Sequence, residues 1–497
     1  MSIAEQFKKI SKDTFSYGFS SALQKLITMF LFPIYARLLS PTDFGIQDVV
    51  LSVVNIMVMF LVLGMDSAVM QYYYENDNIE RKKIVSTYLW FQLFASVPTA
   101  ILISLLAKPI CGYFFKDPSI ANYLRLGIAS VPFSLMSGAM MNTLRLTFQT
   151  RKFVILSTTG IFLQVILAII FVIVFKMGIS GVFLSILISY TLQALLGFFL
   201  TYNDYSRNIS FAWLPKLLKI GIPLVPAALS FWIMSYANRF FLVKYDGMEE
   251  VGLLSVVNRI SSILLLFLSA FSTAWGPYAY NLATDKELAR VTFGKIFTLF
   301  LLFSLTAALG LSLFSREIII ILASSVYVEG SGLVIVFSVS SVLWGALYIV
   351  GIGTGVAKKN HHYTISVIIG ALVSIALNYF LIPLFGVAGA AYASLFGNLF
   401  ATIYMYYVGQ QYLKVVYDIK KLLVIVVLLL SAAYFGIYID KHFPKWDWHL
   451  LIFKIGILVV TMVLLVLAGV VSKAQILQLF AFLRKQPVEL EKEPDII

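Results

Sequence analysis

Two arginines stand inside apolar runs long enough to cross a bilayer, which takes about 20 helical residues. Arg239 lies in GIPLVPAALSFWIMSYANRFFLVKY (221–245) and Arg259 in VGLLSVVNRISSILLLFLSAFSTAWGPYAY (251–280), neither run carrying an acid. A guanidinium costs at least ~2.5–3.5 kcal/mol at the centre of a bilayer, so such residues face a wet cavity or a partner. Arginine's planar fork suits a phosphate or carboxylate. Lys25, near the middle of its apolar run, and Arg125 extend the set to four cations, against Asp66 as the one acid credited to the same segments. The chemistry this implies is the holding of an anion inside a membrane protein. Arg259 falls about eight residues into its segment, roughly 12 Å at helical rise, and Lys25 is as deep; neither is explained by a side chain reaching for the interface. Arg239 and Arg125 lie nearer segment ends, where reaching the interface is as good an account as facing a lumen.

Asp66 has three readings: a coupling carboxylate, a partner for a buried cation, or an interfacial acid. Glu75 reads as a solvated loop acid. Tyr72, Tyr73 and Tyr74 suit sugar stacking or an aromatic belt at the membrane surface. Asn55 and Asn258 suit glycan hydroxyls or, the favoured reading, bridges between helices. The histidines fall in two pairs outside the apolar runs, His361/His362 and His442/His449, with no carboxylate set beside them, and no metal or other cofactor is expected. A single cysteine, Cys111, excludes an intrachain disulfide and a cysteine-cluster metal site.

The elements that position these residues are set by composition. Of 497 residues 60% are apolar and 12% charged, with mean hydropathy +0.91. Soluble domains carry about 25% charged residues, so this is an integral membrane protein. The net charge of +13 is spread between apolar blocks in runs of at most three cations. That is a topology signal, and nucleic acid is not an expected partner. No secretory leader is legible in MSIAEQFKKISKD, where Ile3, Phe7 and Ile10 recur at helical spacing as in a helix lying on the membrane surface. The tail QPVELEKEPDII reads as disordered.

The hydropathy pattern predicts an all-α protein of fourteen transmembrane helices, near 14–36, 44–66, 85–107, 120–144, 154–175, 179–202, 220–242, 251–275, 294–314, 331–356, 364–384, 387–409, 421–439 and 450–471. Several contain breaks (Pro33, Pro132, Pro223 with Pro226, the GIGTG of 351–355), either ordinary kinks or bends around a lumen. With the N-terminus inside, clusters such as Arg81–Lys82–Lys83, Arg151–Lys152 and Lys358–Lys359 all fall inside, and mostly single cations fall outside. Both termini are therefore expected in the cytoplasm. The acids outside, Glu317 and Asp440 among them, are read as isolated.

An internal repeat is legible at an offset of about 207 residues: PTDFG (41–45) with MEEVG (248–252), the RK of 151–152 with the KK of 358–359, GISG (178–181) with GVAG (386–389), and Lys12 with Lys219. It divides the chain into a first lobe 1–207 (helices 1–6), a second lobe 208–414 (helices 7–12), and two further helices with a tail in 415–497. Six helices per unit makes the repeat parallel and puts a site at its interface.

These residues carry a family resemblance. LLSPTDFG (38–45), the LGMDSA turn (63–68), YYYE (72–75), GIPLVPAALSFWIMSYANRFFL (221–242) and VGLLSVVNRISS (251–262) resemble the O-antigen and capsule lipid-linked oligosaccharide flippases of the multidrug/oligosaccharidyl-lipid/polysaccharide exporter superfamily. The resemblance spans about 1–410. It implies two six-helix lobes around a cavity open alternately to each side. The implied substrate is an undecaprenyl-pyrophosphate-linked oligosaccharide, carried from inner to outer leaflet of the bacterial cytoplasmic membrane. A monomer is expected, with the glycan polymerase machinery as a candidate partner. Members often carry an acid just before the arginine corresponding to Arg239, where this chain has Asn238, and an aromatic at the position of Leu254.

Physically, the tail stays in lipid while the pyrophosphate and sugars cannot cross hydrocarbon unaided. A lumen with Lys25, Arg259, Arg239 and Arg125 lowers that barrier, and no bond is made or broken, so the protein is not expected to be an enzyme. Two alternatives remain. A cation-coupled multidrug or metabolite antiporter of the same superfamily would place carboxylates in the lumen. A membrane glycosyltransferase or polymerase would need a general base or acceptor-activating acid at an outer face, with room for a large loop.

Overall fold

The computed structural model describes residues 31–206, 210–443 and 448–470. The surface helix read at 3–10, Lys25, and the tail fall outside the described residues. Those described are helical throughout, with no strand among them, and twelve helices are long and apolar enough to cross a membrane. The sequence pattern predicts fourteen. The first predicted segment, 14–36, lies largely outside the described residues. The eleventh and twelfth form one run, His361–Tyr412, interrupted at Gly386 (φ 53°, ψ −128°). The run folds back there: a methyl group at Gly370 would sit 2.9 Å from the Gly397 carbonyl oxygen. The predicted 251–275 segment is broken at Ser262 into Met248–Ser261 and Ile263–Leu282.

The helices that position the site are α1 (Pro41–Val62), α2 (Val225–Tyr245), α3 (Met248–Ser261), α4 (Ile263–Leu282), α5 (Lys286–Leu313), α6 (Val334–Val350) and α7 (His361–Tyr412). The start of α1 is written in its sequence. Ser40 Oγ accepts the Asp43 N–H at 3.1 Å and Pro41 occupies the first turn, where its missing N–H has no partner to lose. Pro226 opens α2 in the same way, and Pro132 opens Val131–Leu146, so these two breaks are helix starts.

One apolar core draws the two halves of the chain together, running from Phe44, Val49 and Val50 through Val251, Leu254 and Val257 to Tyr327 and Val334. At its centre α1 and α3 cross backbone to backbone. A methyl group on Gly45 would lie 1.9 Å from the Met248 carbonyl oxygen, and one on Gly252 would lie 2.1 Å from that of Pro41. Both contacts exchange positions separated by the repeat offset. The GISG and GVAG segments match in the same way, with Gly178 at φ 56° and Gly386 at φ 53°, a left-handed backbone that glycine adopts without strain. Gly45→Ala is expected to lower the melting temperature of the purified protein, since overpacking against backbone costs about 1–3 kcal/mol. Gly138→Ala, which meets nothing within 4 Å, is the control and should leave it in place.

Beyond α7 the described residues form two more long helices, α8 (Ile419–His442) and α9 (Trp448–Leu467). Lys454 on α9 is 0% exposed and pairs with Glu317 and Asp440, each at 2.7 Å. Glu317 and Asp440 are therefore not the isolated acids of the sequence reading; burial of one ammonium brings them together. At the other end, Val416 N–H donates to the Arg290 carbonyl at 3.0 Å and Arg290 Nε to that of Lys414 at 2.9 Å, fastening the start of α8 to α5.

Candidate functional site

Where α1, α2, α3, α6 and the second arm of α7 converge they enclose a cavity of about 460 Å³. Its charged lining residues are Asp48, Arg239 and Arg259. Both arginines singled out in the sequence are thus brought together, from helices that adjoin in the chain.

Arg239 is 3% exposed, so of the two accounts its position left open it does not reach for the interface. Its Nε donates to Asp48 Oδ2 at 2.9 Å, and its Nη1 to Asn238 Oδ1 at 2.8 Å and to the Ser235 carbonyl. Ser255 Oγ donates to the same Asp48 oxygen at 2.6 Å. Asn238 is thus a ligand of the arginine, and the acid comes from the other half of the chain. Asp48 corrects the count that credited the segments with Asp66 alone. It lies about two turns inside α1, a depth that the Ser40–Pro41 cap would have revealed.

Arg259 is held differently. Its guanidinium stands 5.4 Å from the centroid of the Phe44 ring and 5.8 Å from that of Phe32. Such cation–π contacts are worth about 0.5–2 kcal/mol each and leave the N–H donors unspent. Among the described residues the Arg259 side chain makes no hydrogen bond and no ion pair; its carbonyl accepts Ser262 Oγ at 2.6 Å. An arginine has five donors and buried donors are almost always matched, so a guanidinium that is unpaired among the described residues and lines a cavity has donors left for an acceptor. The net charge of the lining is +1 among the described residues, with one pair neutralised and one cation free.

Asn55 and Asn258 also line the cavity, and neither side chain makes a hydrogen bond among the described residues. They do not bridge helices as the sequence reading favoured. The far part of the cavity carries Phe231, Trp344, Ser340, Ser341 and Asn398, none of which the sequence reading marked.

The remaining candidates lie elsewhere. Arg125 donates from Nε to the Ser104 carbonyl and from Nη1 to Asn122 Oδ1, both at 3.1 Å, and is not among the residues lining the cavity. Asp66 opens the short helix Met65–Tyr73 and accepts the Tyr88 hydroxyl, also away from the cavity. Of the three tyrosines, Tyr72 packs edge-on to Trp213 at 5.4 Å, Tyr73 is buried, and Tyr74 donates to the Leu146 carbonyl at 3.1 Å. Burial pushes the Cys111 thiol up to about 11, so it is no nucleophile near neutral pH.

Comparison with known proteins places this geometry. The family described as "Polysaccharide biosynthesis protein" matches residues 34–331. An uncharacterized membrane protein of Methanocaldococcus jannaschii is 20% identical over 411 residues, 78% of this chain and 95% of that protein. The lipid II flippase MurJ in an inward closed conformation superposes with a TM-score of 0.72 at 18% identity, covering 90% of this chain and 97% of that one. An inward-facing multidrug resistance MATE family transporter of the MOP superfamily gives 0.60 at 17% identity, covering 78% and 94%. At these identities the likeness to both is one of fold.

Proposed function

The chain belongs to the polysaccharide biosynthesis protein family and is a multi-pass membrane protein with the fold shared by flippases and transporters; from that premise we propose that it is a flippase for an undecaprenyl-pyrophosphate-linked oligosaccharide. The head group crosses from inner to outer leaflet through the cavity while the polyprenyl tail stays in lipid. Arg259 carries this reading: a guanidinium that lines a cavity and is unpaired among the described residues suits a phosphate oxygen. Arg239 is the second contact, with Asp48 as its resting counter-ion. Lys25 and Arg125 are proposed to assist, Lys25 from the first segment and Arg125 from nearer the membrane surface, and Asp66 to act as a coupling or partner acid.

Alternating access then works between lobes 1–207 and 208–414, in a fourteen-helix chain with both termini in the cytoplasm. The backbone contacts that pair position 45 with 248, and 252 with 41, support that division. The protein is proposed to act as a monomer in the bacterial cytoplasmic membrane, beside the polymerase that consumes the glycan.

The second reading, a cation-coupled multidrug or metabolite antiporter, is favoured by the likeness to the MATE transporter. It needs a free carboxylate for a cationic cargo, and Asp48 is occupied by Arg239 and Ser255. The two separate in one experiment. The full chain is reconstituted into liposomes with a fluorescent undecaprenyl-pyrophosphate-linked oligosaccharide in one leaflet, and a membrane-impermeant quencher reports its arrival in the other. Protein-dependent arrival is expected; uptake of ethidium with no movement of the glycolipid would establish the antiporter instead.

A further inference from the structure

The cavity is chemically divided along its length. Ser261 Oγ donates to the Val334 carbonyl at 3.1 Å, which sets the end of α3 level with the start of α6. Both helices run away from the Gly45–Gly252 crossing, so Trp344, about ten residues further along α6, lies roughly 15 Å beyond that level. On α2, Phe231 lies about eight residues, or roughly 12 Å, from Arg239 in the same direction. Phe231 and Trp344 meet there, ring centroids 5.3 Å apart, and Tyr348 continues the row one turn on, perpendicular to Trp344 at 6.0 Å.

This end differs from the charged end in every respect. No charged side chain lines it among the described residues. Phe231 is 49% exposed and lines the cavity. The Trp344 indole N–H has no acceptor among the described residues. Asn398 donates to Ser340 Oγ at 2.8 Å, but its own carbonyl oxygen is buried without a donor. An apolar drug would meet the rings and leave that oxygen and the indole unsatisfied. A uronic acid or second phosphate would lose its hydration with no cation in return. The group that satisfies all of them has apolar C–H faces and hydroxyls of both senses at its edge: an uncharged pyranose.

We propose that Phe231, Trp344 and Asn398 form a subsite for a neutral sugar ring, which stacks on Trp344 and donates a hydroxyl to Asn398 while the phosphate is held at Arg259. The inference rests on the flippase reading and adds what that reading leaves open: the sugars nearest the lipid carrier are uncharged. The separation of roughly 12–15 Å means that a bare lipid phosphate reaches one end only.

Three probes test it on the purified full chain: undecaprenyl pyrophosphate, the same lipid bearing a neutral disaccharide, and the same lipid bearing a disaccharide with a uronic acid. In the wild type the neutral disaccharide should bind about tenfold tighter than the bare lipid, equal to about 1.4 kcal/mol, and the acidic one without that advantage. In Trp344→Ala the advantage should shrink to about twofold; in Trp344→Phe, which keeps a stacking face, most of it should remain, showing that the site still folds. Equal binding of bare and neutral probes by the wild type, an undiminished advantage in Trp344→Ala, or equal binding of acidic and neutral sugars overturns the subsite. Arg259→Ala reports separately: it should weaken all three probes together, and unchanged binding would overturn the anion site of the flippase reading without touching the sugar result.

Discussion

Arg259→Ala is expected to abolish movement of the proposed lipid-linked glycan while the protein still folds and inserts. Among the described residues the Arg259 guanidinium rests against the Phe32 and Phe44 rings and has no ion-pair partner, so its removal strands no paired acid and costs the fold about 1–4 kcal/mol. What is lost is the anion contact. Charge-assisted hydrogen bonds are worth about 1.5–3 kcal/mol each, and a bidentate pair corresponds to a loss of at least about a hundredfold in transport. Arg259→Lys keeps the charge without the fork and should retain partial activity. The check is initial translocation rate in liposomes beside the melting temperature of each variant. Normal transport by Arg259→Ala would end the assignment.

The second large effect has the opposite signature. Arg239→Ala or Asp48→Ala alone should destabilise the protein by about 3–5 kcal/mol, because each leaves a buried unpaired charge. Asp48→Leu with Arg239→Met removes both charges and should recover most of that stability. Transport should stay impaired in the double variant, since a cation lining the cavity is gone. Thermal unfolding in detergent and the liposome assay together read both halves of this prediction. Single variants as stable as the wild type would mean that the pair is not desolvated as its geometry implies.

The contrast between these two arginines shows what a sequence can and cannot disclose. Depth in an apolar run is a local property, and Arg259, which it singled out, lines the cavity. Pairing is not local. Asp48 and Arg239 are 191 positions apart, so nothing near Arg239 signals that it is neutralised, and Asn238 beside it suggested the reverse. The membrane class was legible because composition alone excludes a soluble chain. So were the segments with matched backbone geometry, because close approach and left-handed turns demand glycine at Gly45, Gly252, Gly178 and Gly386. Phe231 and Trp344 were not, since an aromatic in an apolar helix looks the same whether it faces lipid, core or cavity. Asn55 and Asn258 were visible as polar residues, but only packing decides whether an amide bridges helices or faces a lumen.

The Lys454 junction constrains how the molecule can move. An ammonium with no solvent exposure, shared by carboxylates from two other segments, cannot separate from either without stranding charge in a place water does not reach. With the start of α8 tied to α5 at the opposite end, α8 and α9 are fastened at one end to α5 and at the other to Glu317 on the helix Ser315–Leu322 that follows it. A swing of α5 should therefore carry α8 and α9 with it, so that on that flank the moving edge meets lipid and not a seam between helices.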